Sequence, residues 1–280
     1  MSTGPQLPAP TWFVGCGNMG QAIIEGWRTA GIDLSQVVVI RPSGRPIEGV
    51  RVVKSLPEAG VPPKLVVLGV KPQKLDEIAP QLKTWITGRA TILSMLAGVE
   101  AAGLRSRFPN AGSIIRVMPN LPVATRRGVS ALYTNDADDA LKTQIGDLFV
   151  ALGWAMWTLD EGRLAAIGSV AGAGPAYVAR FVAALAKAGE AKGLSPDIAA
   201  TIALETVLGT SWMAATTGET MDAVVKRVAS PNGTTQAGLG ILDPALDKLI
   251  GATIEAASLR GAELAAEARG ASLAVEPGNA

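Results

Sequence analysis

Thr11-Trp12-Phe13-Val14-Gly15-Cys16-Gly17-Asn18-Met19-Gly20 decides how the rest of the chain is read. A short apolar run ends in a loop with glycine at its first, third and sixth places, and a helix is expected to follow to residue 30. Gly15 permits the tight turn, Gly17 lets the backbone approach a pyrophosphate, and Gly20 allows helix and strand to pack closely. Asn18 and Met19 complete the loop at the helix start, where exposed N–H groups and the helix dipole favour phosphate. The bland alternative is a structural turn with coincidental glycines.

The segments after this loop repeat the strand–helix alternation. Strands are expected at 11–14, 37–40, 51–53, 65–70, 91–96 and 113–117, and helices at 17–30, 72–84, 99–108 and 138–152. The strands are short and several are apolar throughout, as in a parallel sheet covered on both faces. The pattern is α/β, a Rossmann-type doubly wound sheet. After Asp160 it gives way to nearly continuous helix: 165–193, 198–217, 221–228 and 234–268. Ser195-Pro196-Asp197 reads as a helix start, and Gly193, Gly218 and Gly270 stand where helices should end. The chain therefore divides into a dinucleotide-binding domain, residues 1–159, and an all-α C-terminal domain, residues 160–280. So few residues in long Ala-rich helices suggest that a second copy completes the helical core.

Composition narrows the function classes. Apolar residues make up 48 % of the 280 residues, charged ones 18 %, and the net charge is +1. That balance gives no electrostatic case for nucleic acid or an anionic membrane as partner. One cysteine excludes an intrachain disulfide, and no zinc cluster or other metal site is expected. The Pro-rich first ten residues lack the basic and apolar regions of a signal peptide and read as a frayed start. No window of about 18 apolar residues runs free of Gly, Pro or charge, so no membrane span is expected and a cytoplasmic enzyme is. The chain has no histidine, which removes the usual imidazole acid or base of nicotinamide chemistry. Any proton must come from a hydroxyl, a lysine, a carboxylic acid, water or the substrate.

Four further groups of residues sit where ligands bind in such sheets. The second strand ends Ile40-Arg41-Pro42-Ser43-Gly44-Arg45, with no acid before Glu48. An NAD enzyme usually carries Asp or Glu there, whereas Arg41, Ser43 and Arg45 suit the 2′-phosphate of NADP. NADPH is thus the expected cofactor and NADH the alternative; a solvated basic loop is the competing reading. Val70-Lys71-Pro72 closes the fourth strand, and Lys71 contacts cofactor, positions a water, or is a surface lysine beside a rigid turn. Asn120 follows the sixth strand and either orients nicotinamide or substrate or stabilises its own turn. Cys16 reads as packing rather than as a nucleophile. Ser230-Pro231-Asn232-Gly233 is turn chemistry, and Thr234-Thr235 opens the next helix, so its N–H groups and hydroxyls can hold a small carboxylate or simply cap the helix.

The order of these segments resembles the pyrroline-5-carboxylate reductase family. The resemblance rests on Val14–Gly20, Arg116-Val117-Met118-Pro119-Asn120, Asp160-Glu161, Gly172-Ala173-Gly174-Pro175-Ala176-Tyr177 and Ala229-Ser230-Pro231-Asn232-Gly233-Thr234-Thr235. It extends over residues 11 to 268. It implies an oxidoreductase of proline biosynthesis whose helical domain is a dimerisation domain. The partners implied are a cyclic imine carrying a carboxylate and further copies of the chain, as a homodimer or a larger ring such as a decamer. It places Thr235 near the imine nitrogen, and Ser230, Gly233 and Thr234 around the carboxylate. Three positions depart from the family pattern: Ala173 where serine is common, Asn232 where glycine is usual, and Leu121 where threonine is common. β-Hydroxyacid dehydrogenases share the two-domain plan but rely on a lysine in the first long helix of the second domain, and residues 165–186 contain none.

Overall fold

A computed structural model describes residues 4–268. The chain separates into two compact units, one running to Ala173 and resuming at Ala257, the other spanning Gly174–Ala256. The first unit is built on an eight-stranded sheet of β1 (Thr11–Val14), β2 (Val37–Ile40), β3 (Arg51–Val53), β4 (Leu65–Leu68), β5 (Thr91–Ser94), β6 (Ser113–Pro119), β7 (Gly128–Tyr133) and β8 (Gly153–Trp157). Its spatial order is β3-β2-β1-β4-β5-β6-β7-β8. Every pairing is parallel except that of β6 with β7. The order reverses between β1 and β4, where Val14 aligns with Leu68. That reversal is where ligands bind in open α/β sheets.

Alternation along each strand sends neighbouring side chains to opposite faces. Trp12, Val14, Val66, Leu68 and Ile92 pack on one face, against α3 (Leu75–Leu82) and α4 (Ala101–Arg107). Phe13, Val67, Leu93 and Ile115 pack on the other, against α1 (Asn18–Thr29) and α5 (Asp139–Val150). Each fully buried side chain of this kind contributes about 1.5–3 kcal/mol. Asp138 caps α5 by accepting the Leu141 N–H at 2.8 Å. Trp27 of α1 donates from Nε1 to the Leu148 carbonyl at 2.9 Å, so the indole is buried without leaving its donor unpaired.

The structure departs from the sequence reading at identifiable places. β7 and β8 were not expected, and neither was the four-residue helix α2 (Leu56–Ala59). β8 begins at Gly153 with φ 136, and Trp154 in it is 60 % exposed, so its apolar run is not buried like those of the central strands. β4 and β5 end two residues early, while β6 continues to Pro119. Pro72–Lys74 is a 3₁₀ turn before α3 rather than its first turn. The expected helix 165–193 is three pieces: α6 (Arg163–Ile167), a π turn (Gly168–Gly172) and α7 (Gly174–Glu190).

In the second unit α7 is followed by α8 (Pro196–Thr217) and α9 (Met221–Val228), and then by α10 (Thr234–Ala268), which runs on into the first. Gly193 and Gly218 end their helices with positive φ, as read from the sequence; Gly270 lies outside the described residues. Ser195 occupies the predicted cap position, but its hydroxyl makes no capping bond. The buried cluster here is Ala186, Ala199 and Ala203, with Val182 against it. Arg163–Glu190 and Pro196–Thr217 are long and apolar enough to cross a membrane by length and composition.

Candidate active site

The glycine loop sits at the reversal of strand order. Gly15 has φ 76, and a Cβ there would lie 2.6 Å from Val70 Cγ1, so the ends of β1 and β4 meet with no room for a side chain. A Cβ on Gly20 would lie 2.9 Å from Cys16 Sγ, which keeps α1 close to its strand. Gly17 is different: a Cβ there would meet nothing within 4 Å. It caps α1 without a side-chain bond, and α1 has no acid in its first turn. The loop therefore presents an open, uncrowded backbone to an anion at a helix N-terminus, which fits a dinucleotide pyrophosphate. Burial pushes the Cys16 thiol up to about 11, with Arg41 opposing slightly, so it stays protonated and packs as the sequence suggested.

Arg41 follows β2 and reaches back over this loop. Its guanidinium donates to the carbonyls of Cys16 (3.2 Å), Arg45 (3.0 Å from Nε) and Pro46 (3.4 Å). All three of its nitrogens are thus engaged with backbone. Arg45 and Ser43 are exposed beside it, the Ser43 hydroxyl accepting the Arg45 N–H at 3.5 Å. Glu48, the first acid after the loop, faces Arg28 at 3.5 Å. Lys71 is exposed between β4 and the 3₁₀ turn, and its carbonyl accepts the Lys74 N–H.

Asn120 is buried, and its amide bridges two elements. Oδ1 accepts the Val129 N–H at 2.8 Å, and Nδ2 donates to the Ala171 carbonyl at 3.1 Å. The second bond has a covalent cause. Pro175 lacks the N–H that would bond four residues back to Ala171 in a continuous helix. The helix opens into the π turn, where the Ala173 N–H reaches the Gly168 carbonyl, and Asn120 takes the carbonyl left over. The Asn120 amide thus ties the end of β6 to β7 and to the π turn, rather than bonding its own turn.

The loop before α10 belongs to the second unit. The Gly233 N–H bonds the Ser230 carbonyl at 3.0 Å, and a Cβ on Gly233 would meet Ser230 Oγ. Thr234 and Thr235 then begin α10, with Thr235 half-buried. Ser230, Gly233, Thr234 and Thr235 are thus gathered at one helix start. The residues expected from the sequence to meet the cofactor, Gly15, Gly17, Asn18, Met19, Gly20, Arg41, Ser43, Arg45, Val70, Lys71, Pro72 and Asn120, all lie in the first unit.

Residues 161–264 match the family model for pyrroline-5-carboxylate reductase dimerisation, and residues 12–98 match one described as NADP oxidoreductase coenzyme F420-dependent. A pyrroline-5-carboxylate reductase of Pseudomonas aeruginosa is 35 % identical over 90 % of this chain and 96 % of its own length. The chain belongs to the pyrroline-5-carboxylate reductase family. The Pisum sativum reductase is 33 % identical over 82 % of this chain and 86 % of its own. Among solved structures, a Coxiella burnetii pyrroline-5-carboxylate reductase aligns with a TM-score of 0.81 at 28 % identity, covering 92 % of this chain and 99 % of that one.

Two of the departures from the reductase family pattern now have a local account. Asn232 adopts φ 57, a left-handed conformation that asparagine enters more readily than most residues, and its N–H donates to Gln236 Oε1 at 2.7 Å. The loop keeps a glycine-like turn without glycine. Ala173 serves the π turn through its backbone, so the missing serine hydroxyl leaves that turn intact. Leu121 opens the 3₁₀ turn Leu121–Thr125, and nothing in the structure explains its substitution.

The sequence reading missed one charged pair. Arg116 in β6 is buried and pairs with Glu161 at 2.8 Å, and the same Glu161 oxygen accepts the Ala101 N–H at 2.6 Å at the start of α4. Both face a cavity of about 500 Å³ whose walls include Met118, Gly168, Ser169 and Ala173. An arginine inside the apolar run Ser113–Pro119 was the available signal, because a buried charge requires a partner.

Proposed function

We propose that the protein reduces 1-pyrroline-5-carboxylate to L-proline with NADPH, the last step of proline biosynthesis. The near-full-length likeness to the Pseudomonas aeruginosa reductase carries this reading. The open Gly17 backbone and the cationic loop after β2 support the cofactor half of it. A Plasmodium falciparum pyrroline carboxylate reductase solved with NADP bound has the same fold, at a TM-score of 0.83 and 23 % identity.

A bound NADPH supplies the hydride. The chain's task is orientation and charge placement. The α10 start, with Ser230, Gly233 and Thr234, holds the substrate carboxylate on exposed N–H groups. The imine accepts hydride at carbon when its nitrogen is protonated, and the C=N electron pair then returns to nitrogen. Such a bound iminium needs no strong acid from the protein, which accords with a chain without histidine. Thr235 hydrogen-bonds the nitrogen or steers a water to it; a threonine hydroxyl is too weak an acid to protonate it. Lys71, on the ligand edge, contacts cofactor or places that water.

The same reading makes the active protein a cytoplasmic homo-oligomer, a dimer or a larger ring such as a decamer. A second copy rather than lipid covers the apolar helices, and the split at 159/160 is the functional boundary. Purified protein mixed with pyrroline-5-carboxylate should oxidise NADPH rapidly and NADH more slowly. Nucleotide binding without oxidation of either would move the assignment to another imine, or to a protein that senses nucleotide without turnover.

A further inference from the structure

A further cation beside the loop after β2 is supplied by the strand next door. β2 and β3 are parallel with Ile40 opposite Val53, so Arg41 and Lys54 leave adjacent strands at the same level, on the ligand edge of the sheet. The Arg41 N–H bonds the Val53 carbonyl at 2.9 Å, which fixes that register one residue further. Lys54 then lies along Gly44, the glycine of the Arg41–Arg45 turn. A Cβ on Gly44 would be 2.8 Å from Lys54 Cε and 3.4 Å from its Cγ, and Gly44 has φ 60. The lysine stem occupies the space a side chain would take.

The charges around this turn are unequally engaged. Arg41 gives all three nitrogens to the carbonyls of Cys16, Arg45 and Pro46. Glu48 faces Arg28. Glu58, the acid nearest Lys54 in sequence, accepts the Ser55 hydroxyl at 2.6 Å and the Lys54 N–H at 3.3 Å. Those bonds hold its carboxyl below the usual range, with the charge of Lys54 a minor contributor. Among the described residues, the side chains of Lys54 and Arg45 form no ion pair within 4 Å. Two unpaired cations and the Ser43 hydroxyl therefore flank one glycine turn, on a scaffold that Arg41 ties to the pyrophosphate loop.

We propose that Lys54, with Arg45 and Ser43, seats the 2′-phosphate of the nucleotide and sets the preference for the phosphorylated cofactor, while Arg41 organises the loop. The inference rests on the NADPH reading above and adds a residue that lies outside the loop after β2. The phosphate dianion recruits Lys54 by charge and the Ser43 hydroxyl by hydrogen bonding. NAD, lacking that phosphate, gains nothing from Lys54.

The test is titration of NADP⁺ and NAD⁺ against the full chain and its Lys54→Met and Lys54→Arg variants. Methionine keeps an apolar stem over Gly44 and removes the charge. The Kd for NADP⁺ should rise about tenfold, ~1.4 kcal/mol, in Lys54→Met, with that for NAD⁺ unmoved and Lys54→Arg retaining the preference. An unchanged ratio in Lys54→Met overturns the inference. So does a parallel weakening of both nucleotides, which assigns Lys54 to loop packing alone. Equal binding of the two nucleotides by the unaltered chain removes the NADPH reading itself, a result visible before any variant is made.

Discussion

Phe13, Trp27 and Phe149 in the α/β unit have no exposed surface, whereas Phe181, Leu208 and Trp212 in the helical unit leave 49 %, 57 % and 55 % of theirs open. In the first unit the rings meet edge to face, Phe13 to Trp27 at 5.9 Å and Trp27 to Phe149 at 6.1 Å. In the second, α7 and α8 approach through Gly189, where a Cβ would meet Ala199 Cβ at 3.4 Å, and through alanines. The large apolar side chains point elsewhere. A helix apolar on every side has no single core-facing stripe, and it is stable only when something surrounds it. The α/β unit carries its core within one chain; the helical unit leaves its largest apolar side chains half-exposed.

The largest effects should separate these two kinds of burial. Phe149→Ala should destabilise the α/β unit by about 3–5 kcal/mol, read by denaturant unfolding at any protein concentration. Leu208→Asp should instead dissociate the proposed dimer, seen by sedimentation, and abolish turnover while the glycine loop still binds nucleotide. A Leu208→Asp protein that stays assembled would break the comparison, since that face would then have no apolar partner. Next in size, Thr235→Ala should lower kcat by about 10²-fold with nucleotide affinity preserved; unchanged turnover takes Thr235 out of the mechanism.

Smaller effects sharpen the account of the α/β unit. Asn120→Ala strands the Ala171 carbonyl and the Val129 N–H, and should cost about 1–3 kcal/mol for each group that water cannot reach. Calorimetric unfolding measures the sum. The smallest effect concerns Cys16, whose thiol rises from 9.0 to about 11 in the folded chain. A group with a raised folded pKa contributes fully below its unfolded value. Its share of stability should therefore be intact below pH 9.0 and disappear as pH rises toward about 11. Cys16→Ser unfolding measured across that range should lose this slope.

Legibility in the sequence followed local chemistry rather than the divide between the units. β1, β2, β4 and β5 were readable because buried parallel strands are short apolar runs, and β3 and β6 because they carry β-branched pairs beside an arginine. β8 was not, because Gly-Trp-Ala-Met-Trp is half-exposed and begins on a glycine conformation that only the fold requires. Both ends of α9 and the start of α10 were read to the residue, since caps and turns are local chemistry. The π turn was missed although Pro175 announced it: proline marks a lost bond, while the identity of the substitute donor, Asn120, is a tertiary fact. The conformations of the glycine loop and, separately, of the Ser230–Thr235 turn were legible from local spacing. Lys54 and the Arg116–Glu161 pair were not, because each depends on which strands lie side by side.

The bond from Arg41 to the Cys16 carbonyl has a practical consequence for anyone who would redesign the cofactor choice. The loop after β2 and the glycine loop are one mechanical part, joined by the Arg41 guanidinium and by the Gly15 N–H on the Ile40 carbonyl. Replacing Arg41 with an acid, the obvious graft for accepting NADH, would unfasten the glycine turn as well as change the charge. A graft at Lys54 and Arg45 leaves that fastening whole. On the assignment proposed for Lys54, specificity is better rewritten from the neighbouring strand than from the residue that first attracts attention.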